Sequence, residues 1–109
     1  MRILSGDGYV RVFAESELAA GAMRCVEIDG KLILVCRTRE GFHAVDAVCT
    51  HAFARLDEGR LRGHRLICPL HGASFDVRCG AVLGAPATEP LRSHASRARD
   101  GHVEVRLTA

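Results

Sequence analysis

The sequence predicts a single all-β domain, built as a β-sandwich or a partly open barrel. The chain has 109 residues, which is enough for one small core. Its apolar runs are of strand length and follow one another at regular spacing with little helical pattern, as in sandwiches and barrels. Two Asp-Gly pairs, Asp29-Gly30 and Asp100-Gly101, stand between such runs and predict tight hairpins.

The chain begins with one strand and a connector. Residues 9–13 alternate between apolar and polar side chains and predict the first strand. Residues 15–22 could form one helical turn, but Gly21 favours an irregular connector.

The clearest hairpin signal lies in residues 23–36. Two β-rich runs, 23–28 and 31–36, flank Asp29-Gly30, and such a pair favours a type I′ turn because both of its central positions need positive φ. Leu32 to Cys36 is apolar on both faces. We therefore expect a central strand that is covered on both sides.

The later strands are short, and two of them end at cysteines. Residues 42–48 predict a strand that leads to Cys49, and residues 65–67 predict one that leads to Cys68. The remaining predicted strands lie near Leu61 and at residues 74–77, 81–83, 95–99 and 102–107. The segment from about 46 to 86 therefore looks like an insertion into a β base formed by about residues 1–45 and 87–109.

Composition and charge exclude several classes of protein. Fifteen Lys and Arg against thirteen Asp and Glu give a net charge of +2, which is too small to indicate a nucleic-acid partner. No apolar run approaches the roughly 20 residues of a membrane span, and the N-terminus lacks an apolar signal-peptide core. We therefore expect a cytoplasmic monomer without membrane contact, whose five cysteines are reduced thiols and metal ligands and not a disulfide frame.

Two matching clusters of metal-ligand residues dominate the chain. The first is Cys49-Thr50-His51, and the second is Cys68-Pro69-Leu70-His71-Gly72. Zinc accepts two Cys and two His, but zinc fingers usually pair Cys with Cys and His with His along the chain. Mixed loops fit a binuclear centre with two Cys on one iron and two His on the other.

These clusters, followed by Phe75-Asp76 and Gly80, closely resemble the Rieske-type ferredoxin family from about Tyr9 to Leu107. The resemblance implies a Rieske-type β base with an inserted cluster-binding subdomain, and one [2Fe–2S] cluster held by Cys49, His51, Cys68 and His71. It also implies that the loop Gly84-Ala85-Pro86 packs over the cluster.

Departures from related Rieske proteins narrow the expected function. The high-potential proteins of quinol oxidation have two bridging cysteines where this chain has Ala54 and Leu70, and hydroxyl donors where it has Ala73 and Phe75. Fewer hydrogen bonds to cluster sulfurs imply a low potential. A chain of this length also leaves no room for the mononuclear-iron domain of the oxygenases. We therefore expect an electron carrier without catalytic residues, and not an enzyme.

Three functions remain open after the resemblance. The first is a soluble ferredoxin that takes electrons from an NAD(P)H-dependent flavoprotein reductase and passes them to a terminal aromatic-ring-hydroxylating oxygenase, meeting both partners transiently. The second is the small Rieske-like subunit of an assimilatory nitrite reductase, which is disfavoured because many such subunits lack the ligands. The third is a zinc-stabilised interaction module.

The other cysteines and histidines are not expected to bind metal. Cys25 and Cys36 are expected to be small apolar residues of the first hairpin. They lie diagonally across its two strands, at a separation too long for a relaxed disulfide. Cys79 lies in a turn and is expected to be an exposed thiol. The remaining histidines are expected at the surface or at strand ends: His43, His64, His94 and His102.

Overall fold

The computed structural model describes residues 6–108, so residues 1–5 and residue 109 of the predicted base lie outside the described part of the chain. Ten strands follow one another: β1 Val10–Ala14, β2 Met23–Ile28, β3 Lys31–Thr38, β4 Gly41–Asp46, β5 Arg60–Arg62, β6 Arg65–Ile67, β7 Ser74–Asp76, β8 Val82–Gly84, β9 Ser93–Arg99 and β10 His102–Arg106. The only helical elements in this range are 3₁₀ turns at Glu15–Glu17 and Leu56–Glu58. The all-β prediction is confirmed, and none of the described helices is long and apolar enough to span a membrane.

The strands form two antiparallel sheets. One contains six strands in the order β1-β10-β9-β4-β3-β2, and the other contains four in the order β5-β6-β7-β8. Strands β4 and β9 pair directly, with Ala44 opposite His94, although the whole four-stranded sheet lies between them in sequence. The second sheet is therefore an insertion between two neighbouring strands of the first. The subdomain boundaries at about 46 and 86 stay a prediction.

Both Asp-Gly hairpins form as predicted. Asp29 and Gly30 have φ of 51° and 79°, and Asp100 and Gly101 have φ of 51° and 77°, the positive values that a type I′ turn needs. The β2–β3 register places Cys25 opposite Leu34. It also places Cys36 opposite Met23, so the two cysteines are separated as expected.

Strand β3 is covered on both faces and joins two hydrophobic cores. Leu34 and Cys36 pack into the core that also contains Cys49 and Cys68. Ile33 and Val35 point the other way, into a core made with β1 and β10 residues. These four β3 side chains are 0% exposed, and burial of the three aliphatic ones stabilises the fold by about 1.5–3 kcal/mol each. The prediction that this strand is covered on both faces is confirmed, although β3 is not central in the sheet: it lies between β4 and the edge strand β2.

A buried carboxylate lies outside these apolar cores, on β10. Glu104 is 2% exposed and stands opposite Arg11 of β1 and Arg97 of β9. The Nε of Arg97 donates to Glu104 at 2.7 Å, and the Nε of Arg11 donates at 3.2 Å. The hydrogen bond from Arg97 lowers the pKa of Glu104 from its usual 4.5 by more than burial raises it, and the bond from Arg11 adds to the lowering.

This carboxylate should make stability depend on pH. Because its pKa is lower in the folded chain than in the unfolded chain, its stabilisation is present above 4.5 and is lost as pH falls through the folded pKa. We expect Glu104→Gln to lower the free energy of unfolding at pH 7. The difference in free energy of unfolding between this variant and the wild type should be smaller at about pH 3.5. Urea unfolding at both pH values measures this, with the exposed Glu27→Gln as control. A stability difference that is the same at both pH values would contradict the lowered pKa of Glu104.

Candidate metal centre

Each ligand loop starts where a strand of the fold ends. Cys68 directly follows β6, and Cys49 comes three residues after β4. The backbone N–H of Cys49 donates to the carbonyl of Ala54 at 3.0 Å, and that of Cys68 donates to the carbonyl of Ala73 at 2.7 Å. Two loops of equal span are thus closed by equivalent hydrogen bonds, which fixes the direction in which each thiol leaves the backbone.

The two thiols lie together in the protein interior. Cys49 is 5% exposed and Cys68 is 2% exposed, and both belong to the core beneath the second sheet. Burial raises the pKa of the Cys68 thiol; the backbone N–H of Leu70 acts in the opposite direction, and the neighbouring Cys49 thiol raises the pKa further. Two adjacent buried thiols fit a cation site, because thiolates are the ligand form and a coordinated thiol loses its proton.

The two imidazoles lie together at the surface. The Nε2 of His51 and the Nδ1 of His71 are 3.3 Å apart, and the ring centroids are 5.3 Å apart at an angle of 75°. Both residues are exposed. His71 and Gly72 have φ of 62° and 74°, and two successive left-handed residues turn the second loop back towards β7.

The four predicted ligands are therefore arranged as a thiol pair and an imidazole pair. Within residues 6–108, no three His, Cys, Asp or Glu side chains are grouped closely enough to hold one ion. A Rieske centre needs two thiolates on one iron and two imidazoles on the other. The pairing of like donors fits that centre better than it fits one tetrahedral zinc ion, which would need all four donors around a single point.

The surroundings of the thiols are apolar, as the sequence implies. Ala73 and Phe75 are 0% exposed, and their side chains carry no hydrogen-bond donor. Leu70, which replaces a bridging cysteine, is 48% exposed, and Phe53 of the first loop is fully exposed. The ligand end of the molecule thus has an apolar interior and an apolar rim.

Thr50 makes a contact that sequence reasoning missed. It lies between the ligands Cys49 and His51, and its Oγ1 donates to the carbonyl of Glu89 at 2.7 Å. This bond ties the segment after Pro86 to the first ligand loop. A hydroxyl between two ligands was visible in the sequence, but its partner lies 39 residues away and no local pattern indicates it.

The turn that leads out of the first loop approaches the second loop closely. Leu56 is fully buried, and Arg55 binds both carboxylate oxygens of Asp57 at 3.0 Å. A Cβ on Gly59 would lie 2.0 Å from the carbonyl oxygen of Ile67, the residue before Cys68. Only a glycine allows this approach of the two backbones.

The other cysteines lie outside the ligand loops, as predicted. Cys25 is half-buried, Cys36 is buried and Cys79 is exposed, and all are free thiols. Burial raises the pKa of Cys36 to about 12, so that thiol stays protonated as a small apolar residue.

One histidine is buried among the residues that the structure describes. His94 stands near the start of β9, a strand-end position as predicted, and is 7% exposed. Its Nε2 is 2.7 Å from the Asp46 carboxylate, and its Nδ1 accepts from the backbone N–H of Thr108 at 3.0 Å. These partners satisfy both ring nitrogens, which is why burial is tolerated.

Comparison with known proteins gives a consistent result. Residues 8–95 match the Rieske [2Fe-2S] domain family. The chain is 39% identical over 101 residues to the anthranilate 1,2-dioxygenase ferredoxin subunit of Burkholderia cepacia, covering 92% of this chain and 88% of that protein. It is 30% identical over 100 residues to the ferredoxin component of the naphthalene 1,2-dioxygenase system of Pseudomonas putida, covering 92% and 96%.

A solved structure extends the likeness to the fold. A chain in the complex of reduced oxygenase and oxidized ferredoxin in carbazole 1,9a-dioxygenase matches with a TM-score of 0.86 at 34% identity, covering 91% of this chain and 93% of that one. This likeness confirms the expected Rieske-type β architecture. With the family match spanning most of its length, the chain belongs to the Rieske [2Fe-2S] domain family.

Proposed function

We propose that this chain is a cytoplasmic, monomeric electron carrier with one Rieske [2Fe–2S] cluster. In this proposal Cys49 and Cys68 bind one iron, and His51 and His71 bind the other. The observation that supports it most is the pairing of two buried thiols with each other and of two exposed imidazoles 3.3 Å apart. When bound, the cluster supplies a site that takes up and releases one electron.

The donor set controls how easily the site accepts an electron. Two thiolates and two neutral imidazoles bring a charge of about −2 to the site, whereas four thiolates would bring about −4. The less negative set repels an added electron less. The apolar surroundings act in the opposite direction, because the side chains of Ala73 and Phe75 offer no hydrogen bonds that would stabilise the reduced state.

The exposed imidazoles define where partners approach. His51 and His71 reach the surface beside the apolar side chains of Phe53 and Leu70. Electron transfer falls steeply with distance, so the partner surface should cover this end of the molecule. Transient redox complexes bury small areas, which suits a carrier that must leave again.

The partners proposed are an NAD(P)H-dependent flavoprotein reductase and a terminal aromatic-ring-hydroxylating oxygenase. The two curated relatives are named as ferredoxin subunits or components of dioxygenase systems, and such components transfer electrons and do not act on the substrate. Those names give the nitrite reductase alternative less support than the ferredoxin function.

Metal analysis tests the cofactor first. The purified chain should be red-brown and contain about two irons and two sulfides, and NADH with the reductase should bleach it reversibly in the presence of the oxygenase. Less than about one iron per chain after reconstitution, or restoration of the fold by zinc alone, would overturn the proposal.

The potential should respond to a hydroxyl placed beside the thiols. We expect a wild-type potential on the order of −150 mV, and Ala73→Ser should raise it by roughly 40–90 mV, because a hydrogen bond of about 1–2 kcal/mol stabilises the reduced state. Phe75→Tyr should act in the same direction. Protein-film voltammetry measures this, with Ala44→Ser in the other core as control. A wild-type value well above zero, or a lower potential with an intact spectrum, would contradict the hydrogen-bond argument.

A further inference from the structure

Three arginines share the outer face of the hairpin that leads to Cys68. Arg60 and Arg62 lie on β5 and Arg65 lies on β6, and all three are exposed. Alternate residues of these strands point to opposite faces of the sheet, and Leu61 and Leu66, which adjoin the arginines in sequence, face the core. Because paired residues in a sheet project on the same side, the register that places Arg62 opposite Arg65 and Arg60 opposite Ile67 puts the three guanidinium groups on one face, which we call the arginine face.

This arrangement is unfavourable in the isolated chain. Arg62 and Arg65 are direct cross-strand neighbours across the turn at Gly63-His64, with Cβ atoms about 5 Å apart, and like charges in that position destabilise a sheet. Arg60 follows on the same side about 7 Å along the strand.

No carboxylate of the described chain neutralises the arginine face. None of the three arginines is among the ion pairs found in residues 6–108. Asp76 stands opposite Arg65 on β7, but its carboxylate is bound by Arg78 at 2.9 Å. Arg65 donates to the hydroxyl of Ser74 at 2.7 Å, which fixes its position without cancelling its charge.

Protection of the sheet edge does not account for all three charges. Strand β5 is the edge of the four-stranded sheet, and charged side chains on an edge strand hinder pairing with another chain. That role fits Arg60 and Arg62. It does not fit Arg65, which is on the second strand and stands beside another cation.

We propose that the arginine face docks an acidic surface of the terminal oxygenase to which this chain passes electrons, the partner with which a similar ferredoxin forms a solved complex. The inference rests on the proposed function and adds the charge of the partner to it. An acidic surface would relieve the repulsion between Arg62 and Arg65, which flank the hairpin turn. Arg60, at the other end of the face, stands opposite Ile67, directly before Cys68, so the face extends from the turn towards the ligand loops. With a net charge of only +2, a local cluster and not the whole molecule steers the encounter.

Matched charge variants test the proposal. The probes are the purified terminal oxygenase and flavoprotein reductase of the same organism, and stopped-flow absorbance measures electron exchange with the cluster-loaded chain. Arg60→Gln/Arg62→Gln should slow exchange with the oxygenase about tenfold at about 20 mM ionic strength, and the difference should vanish at about 0.5 M salt. Slowing confined to the reductase would overturn the inference. Arg99→Gln/Arg106→Gln removes the same charge from exposed positions on another hairpin and should change the rate less than about twofold.

The outcomes separate the two proposals. Equal slowing by both pairs of substitutions, or by neither, overturns the arginine face while leaving the electron carrier intact. No exchange by the cluster-loaded wild type with either protein overturns the proposed function, and the inference with it. A gel mobility-shift assay with duplex DNA tests the alternative partner. If the wild type retards the DNA and the Arg60→Gln/Arg62→Gln variant does not, the arginine face binds nucleic acid and the inference is wrong.

Zero-length cross-linking locates the contact. Lys31 is the only lysine of the chain, so Arg62→Lys keeps the charge and introduces one new amine that a carbodiimide can join to a partner carboxylate. We expect a cross-linked product whose linked peptide contains position 62, formed at low salt and lost at high salt. Arg99→Lys serves as the control. Linkage through position 99 at the same yield would overturn the assignment of the docking face.

Discussion

Cys68→Ser is expected to yield a colourless protein that retains little or no iron. Cys68 is 2% exposed and lies beside Cys49 in the core, and a serine hydroxyl is a much weaker donor to iron than a thiolate. The wild type should hold about two irons per chain, so the expected loss covers nearly all of the metal. His71→Ala should have the same effect, because it removes half of the imidazole pair.

The remaining cysteines provide matched controls for this prediction. Cys79→Ser changes an exposed thiol and Cys25→Ser a half-buried one, and both should keep the iron content and visible spectrum of the wild type. Cys36→Ser should also keep the spectrum, with a loss of stability because the site is fully buried. Iron analysis with visible absorbance decides the matter. Bleaching by any control substitution would show that a ligand has been misassigned.

Gly59→Ala is expected to be among the most destabilising single-methyl changes in the chain. Its Cβ would lie 2.0 Å from the carbonyl oxygen of Ile67, a separation that no relaxed structure accepts. One of two backbones must therefore move, the turn at Leu56–Glu58 or the end of β6. Overpacking of this kind costs about 3 kcal/mol, which corresponds to a fall in melting temperature of about 15 °C for a domain of this size.

Far-UV circular dichroism during heating measures this fall. Gly6→Ala is the matched control, because a Cβ at Gly6 meets nothing within 4 Å and should leave the melting temperature nearly unchanged. Since Ile67 precedes Cys68, Gly59→Ala should also make the cluster easier to extract with a chelator. A variant that melts with the wild type would show that the turn and β6 are not in close contact in solution.

Features with a local cause could be predicted from the sequence. The Asp29-Gly30 and Asp100-Gly101 turns form because two adjacent residues accept positive φ. The burial of both faces of β3 follows from an apolar run without alternation, since each face needs a core. The Cys-His clusters were recognisable because their spacing within the chain carries the information.

Features that depend on distant partners were not predictable in the same way. Thr50 bonds to Glu89 across 39 residues, and burial of His94 requires Asp46 and Thr108. Nothing in the sequence around Glu104 indicates its burial, which depends on the strand order that brings Arg11 and Arg97 to either side of it. In each case the polar group is accommodated by a partner that only the sheet topology brings close.

The sharing of β3 between two cores has a practical consequence for stability screening. Leu34 and Cys36 pack with the core of the ligand cysteines, while Ile33 and Val35 pack with β1 and β10, so melting of the base should release the ligand loops in the same step. Visible absorbance would then act as an optical reporter of global unfolding, including for substitutions far from the ligands. Libraries of core variants could be ranked by colour in whole colonies, without purification of a single protein.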